Sequence, residues 1–417
     1  MNGSDPRPDI TQNDRSVPRA RRKAGDGSID GRGRVLSAPA ILSYGFRPFF
    51  LLGALYAALA VPVWLWAYAQ GFSLPGPFTG QMWHAHDMIF GFLSAVIAGF
   101  ILTAVPNWTG RLPLSGNRLA VLVCLWIIGR IACAGVANPW LAAVLDGLFP
   151  FVLAAAIWRE VIAGRNLRNM PVAVLLTFFA LAGLLHHLEA VELVAEGLPV
   201  RLALAVTSLL MALIGGRIIP SFTRNWLVKQ GSQRLPGSFA LQDKLALAAT
   251  GFAVLAWVIA PSAAITGWLL VAAGLLLVGR LARWQGWHTL KEPMVLILHC
   301  GYFWLAAGLA MLGAAILWPQ VIPYDTAIHT LTAGSVGTMT LAVMTRATLG
   351  HTGRAIKSDR ATTLIYLCVG LGALLRLLAP LSPALYMELL LAGGLVWSLA
   401  FLLFVFRYGL ILWRPKP

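Results

Sequence analysis

The chain has 417 residues, of which 58% are hydrophobic and only 12% are charged, and its mean hydropathy is +0.75. Soluble domains carry about 25% charged residues, so this composition excludes a soluble globular protein and indicates several membrane spans. The net charge of +16 is typical of nucleic-acid-binding proteins, but the positions of the charges favour a membrane topology instead, with no nucleic acid as partner.

The first 40 residues are polar and rich in Gly, Pro, Arg and Asp, and they do not contain the apolar core of a signal peptide. We therefore predict a disordered, basic, cytoplasmic tail over residues 1–40 and a membrane domain over residues 41–417. The four cysteines of the chain all lie in apolar segments without Cys-x-x-Cys spacing. This placement predicts small core residues rather than a disulfide framework or a zinc site.

Runs of roughly 20 apolar residues, the length needed to cross the hydrocarbon, occur twelve times. The predicted fold is therefore an all-α, polytopic helical bundle with about twelve transmembrane helices. The predicted spans are 45–69, 83–106, 119–137, 140–162, 171–195, 200–220, 244–260, 264–283, 293–318, 326–348, 361–379 and 383–408.

The positions of Lys and Arg predict the direction of these spans. All but three of the 32 basic residues fall in the tail, at the start of the first span, in the even-numbered connections or at the C-terminus. The odd-numbered connections near 70–82, 261–264 and 319–325 contain none. We therefore predict that both termini face the cytoplasm, which requires an even number of spans.

Five of the eight histidines fall in the outer half of this topology. His84 and His86 begin the second span, His186 and His187 lie late in the fifth, and His329 begins the tenth. Ionisable side chains inside a membrane mark pathways or ligand sites, and neutral imidazole is a ligand for copper, iron and zinc. The alternative for any one of them is a polar core residue that is hydrogen-bonded across helices.

Helical geometry limits how these histidines share a metal. His84 and His86 are two residues apart and point about 200° apart on an ideal helix, so either the first turn is irregular or they serve different partners. His186 and His187 have the same difficulty in milder form. All five histidines are predicted to bind cofactors, and the predicted metal ligands are His84, His86, His187 and His329.

Two further residues are candidates for a haem site. Arg130 lies in the outer half of the third span, where a buried guanidinium needs an anion such as a haem propionate. His299, which shares a helix face with Tyr302 in the inner third of the ninth span, is a rival haem ligand. For Arg130 the alternative is an ion pair with a carboxylate of the same half: Asp87, Asp146, Glu189 or Glu192.

A faint internal repeat connects two parts of the chain. His86 is followed 23 residues later by Thr109-Gly110-Arg111, and His329 is followed at the same offset by Thr352-Gly353-Arg354. The second, sixth and tenth spans are all predicted to run inward from the outer side. Three four-helix units are therefore conceivable.

Four strings resemble a known family: FRPFFLLGALYAALAVPVWLW (46–66), WHAHDMIFGFLSAVIAGFILTAVPNWTGRLPLSG (83–116), GGRIIPSFTRNWL (215–227) and HTLTAGSVGTMTLAVMTRATLGHTGR (329–354). The chain from residue 43 onward resembles the NnrS family of bacterial inner-membrane proteins, which contain haem and copper and are linked to nitric oxide and denitrification. The family more often has Glu at the position of Asp87. The resemblance implies haem and copper cofactors, but it implies no settled reaction and no ligand assignment.

Three functions compete at this point. The first is a haem–copper membrane protein that binds or handles nitric oxide and protects against nitrosative stress. The second is a transporter whose intramembrane His and Arg residues bind an anion or couple protons. The third is a haem–copper oxidase or nitric oxide reductase, which is disfavoured because no His-x-x-x-Tyr element accompanies the His186-His187 doublet and no CxxCH motif is present.

Overall fold

The computed structural model describes residues 28–29, 35–36, 39–165 and 167–416. These residues are almost entirely helical, which confirms the predicted all-α class, and twelve of their helices are long and apolar enough to cross a membrane. In chain order, α1 to α12 are Phe46–Gln70, Gly80–Pro106, Asn117–Gly135, Pro139–Ala163, Leu167–Glu189, Leu198–Lys229, Leu241–Ile259, Ala264–Ala282, Pro293–Leu317, Tyr324–His351, Arg360–Leu381 and Pro383–Trp413.

Two very short strands precede the helices. Strands β1 (Ser28–Ile29) and β2 (Val35–Leu36) pair antiparallel. They belong to the predicted tail of residues 1–40, and the other residues of that tail up to 38 lie outside the described part of the chain. The chain from Pro39 onward forms one compact unit.

Most predicted span boundaries lie within three residues of the observed ones, but those of the fifth, sixth and twelfth spans were wrong. Helix α5 ends at Glu189 rather than at 195, because the chain turns at Glu192 (φ 62°) and the Glu189 carboxylate accepts the backbone N–H of Gly197. Helix α6 continues past Pro220 to Lys229, since a membrane helix tolerates the single donor that a proline removes. Helix α12 extends to Trp413 rather than to 408.

Helices α2 and α10 each contain a wide, π-helical segment of seven residues. These segments are Asp87–Leu93 and Thr330–Val336, and they begin directly after His86 and His329. The Ser94 hydroxyl donates to the Gly91 carbonyl at 2.9 Å and so serves one of the loosened backbone groups. Because π segments of this kind are common at functional sites, they direct attention to the two histidines.

Close packing between α11 and α12 fixes the last wall of the region that these histidines occupy. A Cβ atom added at Gly372 would lie 2.6 Å from the backbone nitrogen of Trp397, and one added at Gly393 would lie 2.9 Å from that of Arg376. Only glycine allows the two helices to approach this closely. The contact places Arg376 and Trp397 beside the starts of α2 and α10.

Candidate functional site

Four side chains that are suited to bind a metal meet where α2, α3, α4 and α5 pack together. They are His86, Cys133, Asp146 and His187, one from each helix, and one ligand atom of each lies within 4.8 Å of the others. The Nε2 atoms of His86 and His187 both lie 3.1 Å from Oδ2 of Asp146. All four are buried, so this metal cluster could hold an ion away from solvent.

Glycines and a tight turn bring the helices of the metal cluster together. A Cβ atom at Gly129 would lie 2.6 Å from Oδ1 of Asp146, and one at Gly91 would lie 2.5 Å from Nη1 of Arg130. Between α3 and α4, the Asn138 side chain accepts the first free backbone N–H groups of α4, at 3.1 and 3.0 Å. This N-cap allows α4 to start at once after the turn, and it returns the chain along α3.

Arg130 joins two carboxylates next to the metal cluster. Its guanidinium donates to both Asp87 and Asp146, and the Tyr56 hydroxyl donates to Oδ1 of Asp87 at 2.6 Å. Arg130 is only 7% exposed, and an unpaired charge at this depth would be costly. Its charge is therefore balanced within the protein by the ion pairs that the sequence left open as an alternative, and its predicted contact with a propionate stays a prediction.

Unpartnered polar atoms in the metal cluster indicate what is needed to complete it. Because the Asp146 carboxylate accepts from Nε2 of His86, Nδ1 of that imidazole is left as an acceptor without a donor. Oδ2 of Asp87 lies 3.7 Å from this Nδ1 and also has no partner. A metal ion bound at Nε2 would leave the ring proton on Nδ1. This N–H could then donate a hydrogen bond to the Asp87 carboxylate. The donors and acceptors therefore fit a metal ion.

The ligand types narrow the choice of metal. Imidazole suits copper, zinc and iron, while a cysteine thiolate selects soft ions such as Cu(I), as well as zinc. Two imidazoles, a thiol and a carboxylate therefore fit copper or zinc better than a hard cation such as Mg²⁺ or Ca²⁺.

His186 lies beside the metal cluster but makes different contacts. Its ring lies 5.4 Å from the His86 ring, its Nε2 is 3.3 Å from the Met82 carbonyl, and its Nδ1 is 3.1 Å from Oε2 of Glu189. Both nitrogens therefore face oxygen atoms. The predicted role of His186 in cofactor binding stays a prediction, and its contacts are those of a residue that orients the neighbouring rings.

The other two outer histidines line a cavity on the opposite side of α2. His84 and His329 both border it, together with Arg376, and its volume is about 150 Å³. The remaining wall is apolar and aromatic, including Trp64, Leu65, Met88, Phe92 and Trp397. His84 and His86 therefore serve different sites, which is one of the two alternatives that their spacing allowed.

Some polar groups of this cavity already have hydrogen-bond partners within the protein, and others do not. Nδ1 of His329 lies 2.8 Å from the Asp325 carbonyl, which only accepts, so this nitrogen carries the proton and Nε2 is free to bind a ligand. Nη2 of Arg376 donates to the Asp325 carboxylate at 2.6 Å, whereas its Nη1 is buried and has no partner. His84 stacks on Trp64, with ring centroids 4.1 Å apart. The cavity thus offers two imidazoles and one unused guanidinium donor.

The rival haem ligand His299 lies away from both sites. Its Nε2 is 2.8 Å from the Thr223 hydroxyl, and the backbone of Gly286 covers its other edge, since a Cβ atom there would lie 2.5 Å from Nδ1. The Tyr302 hydroxyl accepts from Arg280 at 2.9 Å. These contacts are typical of a packed polar core, although the predicted role of His299 stays a prediction.

Sequence reasoning did not identify Cys133 or Arg376 as site residues. Cys133 was interpreted as a core residue because it lacks a second nearby cysteine, yet it lies one helical turn after Arg130 and thus on the same face of α3. Arg376 is one of the three basic residues that do not follow the predicted charge asymmetry, and that exception was the signal for it. For Cys133 the signal was its one-turn spacing from Arg130.

Comparisons with known proteins agree with this picture. No curated protein and no solved structure matches the chain. The family described as NnrS protein matches residues 40–416, which is nearly the whole chain. The chain belongs to the NnrS family.

Proposed function

We propose that this protein is a haem–copper protein of the bacterial inner membrane, with both termini in the cytoplasm, that binds nitric oxide and protects against nitrosative stress. The observation that carries the proposal is that two histidines of α2 belong to two different sites. His86 belongs to the metal cluster and His84 borders the cavity, although only one residue separates them. A single helix turn thus connects a candidate copper site with a candidate haem site.

Copper is assigned to the metal cluster. His86, His187 and Cys133 supply the nitrogen and sulfur donors that copper prefers. Asp146 is the shared acceptor of both imidazoles, and Arg130 holds it in place together with Asp87. With a metal ion at Nε2 of His86, Oδ2 of Asp87, now 3.7 Å from Nδ1, would become the acceptor for Nδ1–H.

Haem is assigned to the cavity. His84 and His329 would hold the haem iron through their imidazoles, Arg376 has a free donor for a propionate, and the aromatic wall suits a porphyrin. The volume of about 150 Å³ is that of a cavity that binds benzene. A haem would therefore occupy this space only with the walls moved apart, while nitric oxide fits it unchanged.

The residues around the cavity suit a small neutral ligand. The wall is almost entirely apolar, which favours nitric oxide over water and charged ions. When bound, haem iron and copper supply the orbitals to which nitric oxide binds. The Asp325 backbone carbonyl holds the proton of His329 on Nδ1, and the Asp325 carboxylate accepts from Arg376.

The test is a measurement of metal content and optical spectra on the purified full chain. We expect iron, copper and a Soret band that shifts when nitric oxide is added to the dithionite-reduced protein. The variant His299→Ala distinguishes the cavity from the rival haem ligand, because it removes a buried histidine outside both sites and should leave iron and copper content unchanged. A protein without a Soret band or copper would contradict the proposal and favour the transporter.

A further inference from the structure

A group of basic side chains without acidic partners lies at the end of the bundle where α1 begins and α12 ends. It is formed by the start of α1, the end of α10 and the residues that follow α12. We call it the basic patch, and it comprises Arg47, His351, Arg354, Arg414 and Lys416. Within the part of the chain that the structure describes, none of these five forms an ion pair with a carboxylate. Glu160, Asp243 and Asp359 bind other cations, and Glu292 accepts the backbone N–H groups of Met294 and Ser358.

Arg47 is the most buried member of the patch. It is only 2% exposed, and its Nη1 donates to the carbonyls of Leu412 and Arg414, at 2.8 and 2.7 Å. These carbonyls lie at the C-terminal end of α12, where the helix dipole is negative. Its Nε is buried and has no partner. The helix end thus balances only part of the charge of Arg47.

Arg354 adds a second cation to the same place. His351 lies three residues before Arg354, and its ring is 5.5 Å from the ring of Phe46, the residue before Arg47. This contact brings Arg47 and Arg354 to the same part of the patch, where their like charges repel, and Nη1 of Arg354 is buried without a partner. Several cations and two unused buried donors therefore lie close together, and like charges without a counter-charge are unfavourable when they are buried. An anion would satisfy both the charge and the donors.

The internal repeat allows a comparison, because the arginines of its two Thr-Gly-Arg motifs have different partners. Arg111 and Arg354 end the two Thr-Gly-Arg motifs, at the same distance from His86 and His329. Arg111 forms an ion pair with Glu160, between Nε and Oε2. Arg354 has no such carboxylate among the described residues. At the first motif the protein itself supplies the anion, the Glu160 carboxylate. At the second motif an external anion can therefore take the equivalent place beside Arg354.

We propose that Arg47 and Arg354 bind the phosphate group of an anionic ligand. Guanidinium groups bind phosphate through paired, charge-assisted hydrogen bonds. Two sources carry this chemistry, the headgroup of an anionic phospholipid and free phosphate. The position of the patch at the ends of membrane helices, with Tyr44 beside Lys416, favours the lipid, because basic pockets and aromatic residues at the membrane interface hold headgroups.

The test uses the delipidated full chain in neutral detergent and native mass spectrometry. Phosphatidylglycerol is titrated against phosphatidylcholine, and inorganic phosphate is added in separate samples. We expect the wild-type protein to retain phosphatidylglycerol in preference to phosphatidylcholine. Arg354→Gln should retain about tenfold less, since one charge-assisted contact is lost, whereas Arg354→Lys should retain an intermediate amount.

The matched control is Arg111→Gln, which changes the same motif position where Glu160 is the partner and should bind phosphatidylglycerol like the wild type. Thermal unfolding of each variant shows whether it folds, so that a misfolded variant is not mistaken for a lost site. If inorganic phosphate displaces phosphatidylglycerol and stabilises the wild type but not Arg354→Gln, the anion site stands and free phosphate is its source. Equal phosphatidylglycerol retention by the wild type and Arg354→Gln would overturn the proposal.

Discussion

In both α2 and α10 a histidine is followed at once by a seven-residue π-helical segment and, farther along, by a Thr-Gly-Arg motif. The surroundings of the two histidines differ. His86 is fully buried among Asp87, Asp146 and Arg130, whereas His329 borders the cavity and is held by Asp325, whose side chain is 44% exposed. A histidine followed by a π-helical segment therefore occurs at two places in the bundle. The residues packed around each histidine determine whether it lies in a closed polar cluster or beside an open apolar cavity.

The difference in burial predicts different consequences for losing a carboxylate. Asp146→Asn should remove most bound copper and destabilise the protein by at least about 3 kcal/mol, because it leaves buried Arg130 with one partner instead of two. Asp325→Asn, the counterpart in the α10 region, should cost less, about 2 kcal/mol, since its own carboxylate is partly exposed although its partner Arg376 is buried. Thermal unfolding in detergent and copper analysis measure both effects. Equal destabilisation by the two variants would contradict the comparison.

The two sites should also lose different metals. His86→Ala and His187→Ala should each lower copper content and leave the Soret band in place, because both side chains belong to the metal cluster. His84→Ala and His329→Ala should each weaken or shift the Soret band and leave copper bound, because both line the cavity. Metal analysis and reduced spectra of the four variants give the result. If copper and the Soret band disappeared together in every variant, the protein would have one combined site.

The sequence predicted the helices well because crossing a membrane leaves few alternatives. Each span needs a long apolar run, and the backbone must satisfy its own hydrogen bonds, so hydropathy alone identified all twelve. Errors arose at helix ends, as at Glu189, whose carboxylate accepts the backbone N–H of Gly197 after α5, and at Pro220, which α6 continues past. The π segments were not predicted, because the residue pattern of a span does not distinguish a π-helical turn from an α-helical one.

The candidate site was predicted in part. Depth followed from topology, so the five outer histidines were identified, and the spacing of His84 and His86 allowed two separate partners. The grouping within that depth depends on helix rotation and on which helices are neighbours, and periodicity does not fix either. Cys133 is the clearest case, because its importance comes from its contact with α2, α4 and α5 in space and not from any motif along the chain.

The third prediction concerns this cysteine. Cys133→Ser keeps the shape of the side chain but replaces a soft sulfur donor by a hard oxygen, which Cu(I) disfavours. Copper affinity should fall by at least about tenfold, while the Soret band stays unchanged because Cys133 does not line the cavity. Competition with a Cu(I) chelator measures the change. Cys368→Ser, at a buried cysteine outside the metal cluster, is the control and should bind copper like the wild type.

The smallest effect is expected at Asp359, an exposed carboxylate just before α11 that sharpens the contrast with buried Asp146. Burial alone would raise the pKa of Asp359, but hydrogen bonds from Thr362 and Arg407 lower it to about 2. Since the unfolded chain has a pKa of about 3.9, this carboxylate stabilises the fold above that pH, and its contribution disappears as the pH falls toward 2.

Asp359→Asn keeps an N-cap side chain and removes only the charge. It should therefore destabilise the protein by no more than about 1 kcal/mol at neutral pH, because the pair with Arg407 is solvent-exposed. Unfolding measured across a series of pH values should show the difference from wild type closing between about pH 4 and 2. Copper and haem content should not change. A loss as large as that of Asp146→Asn would show that exposure does not distinguish the carboxylates of this protein.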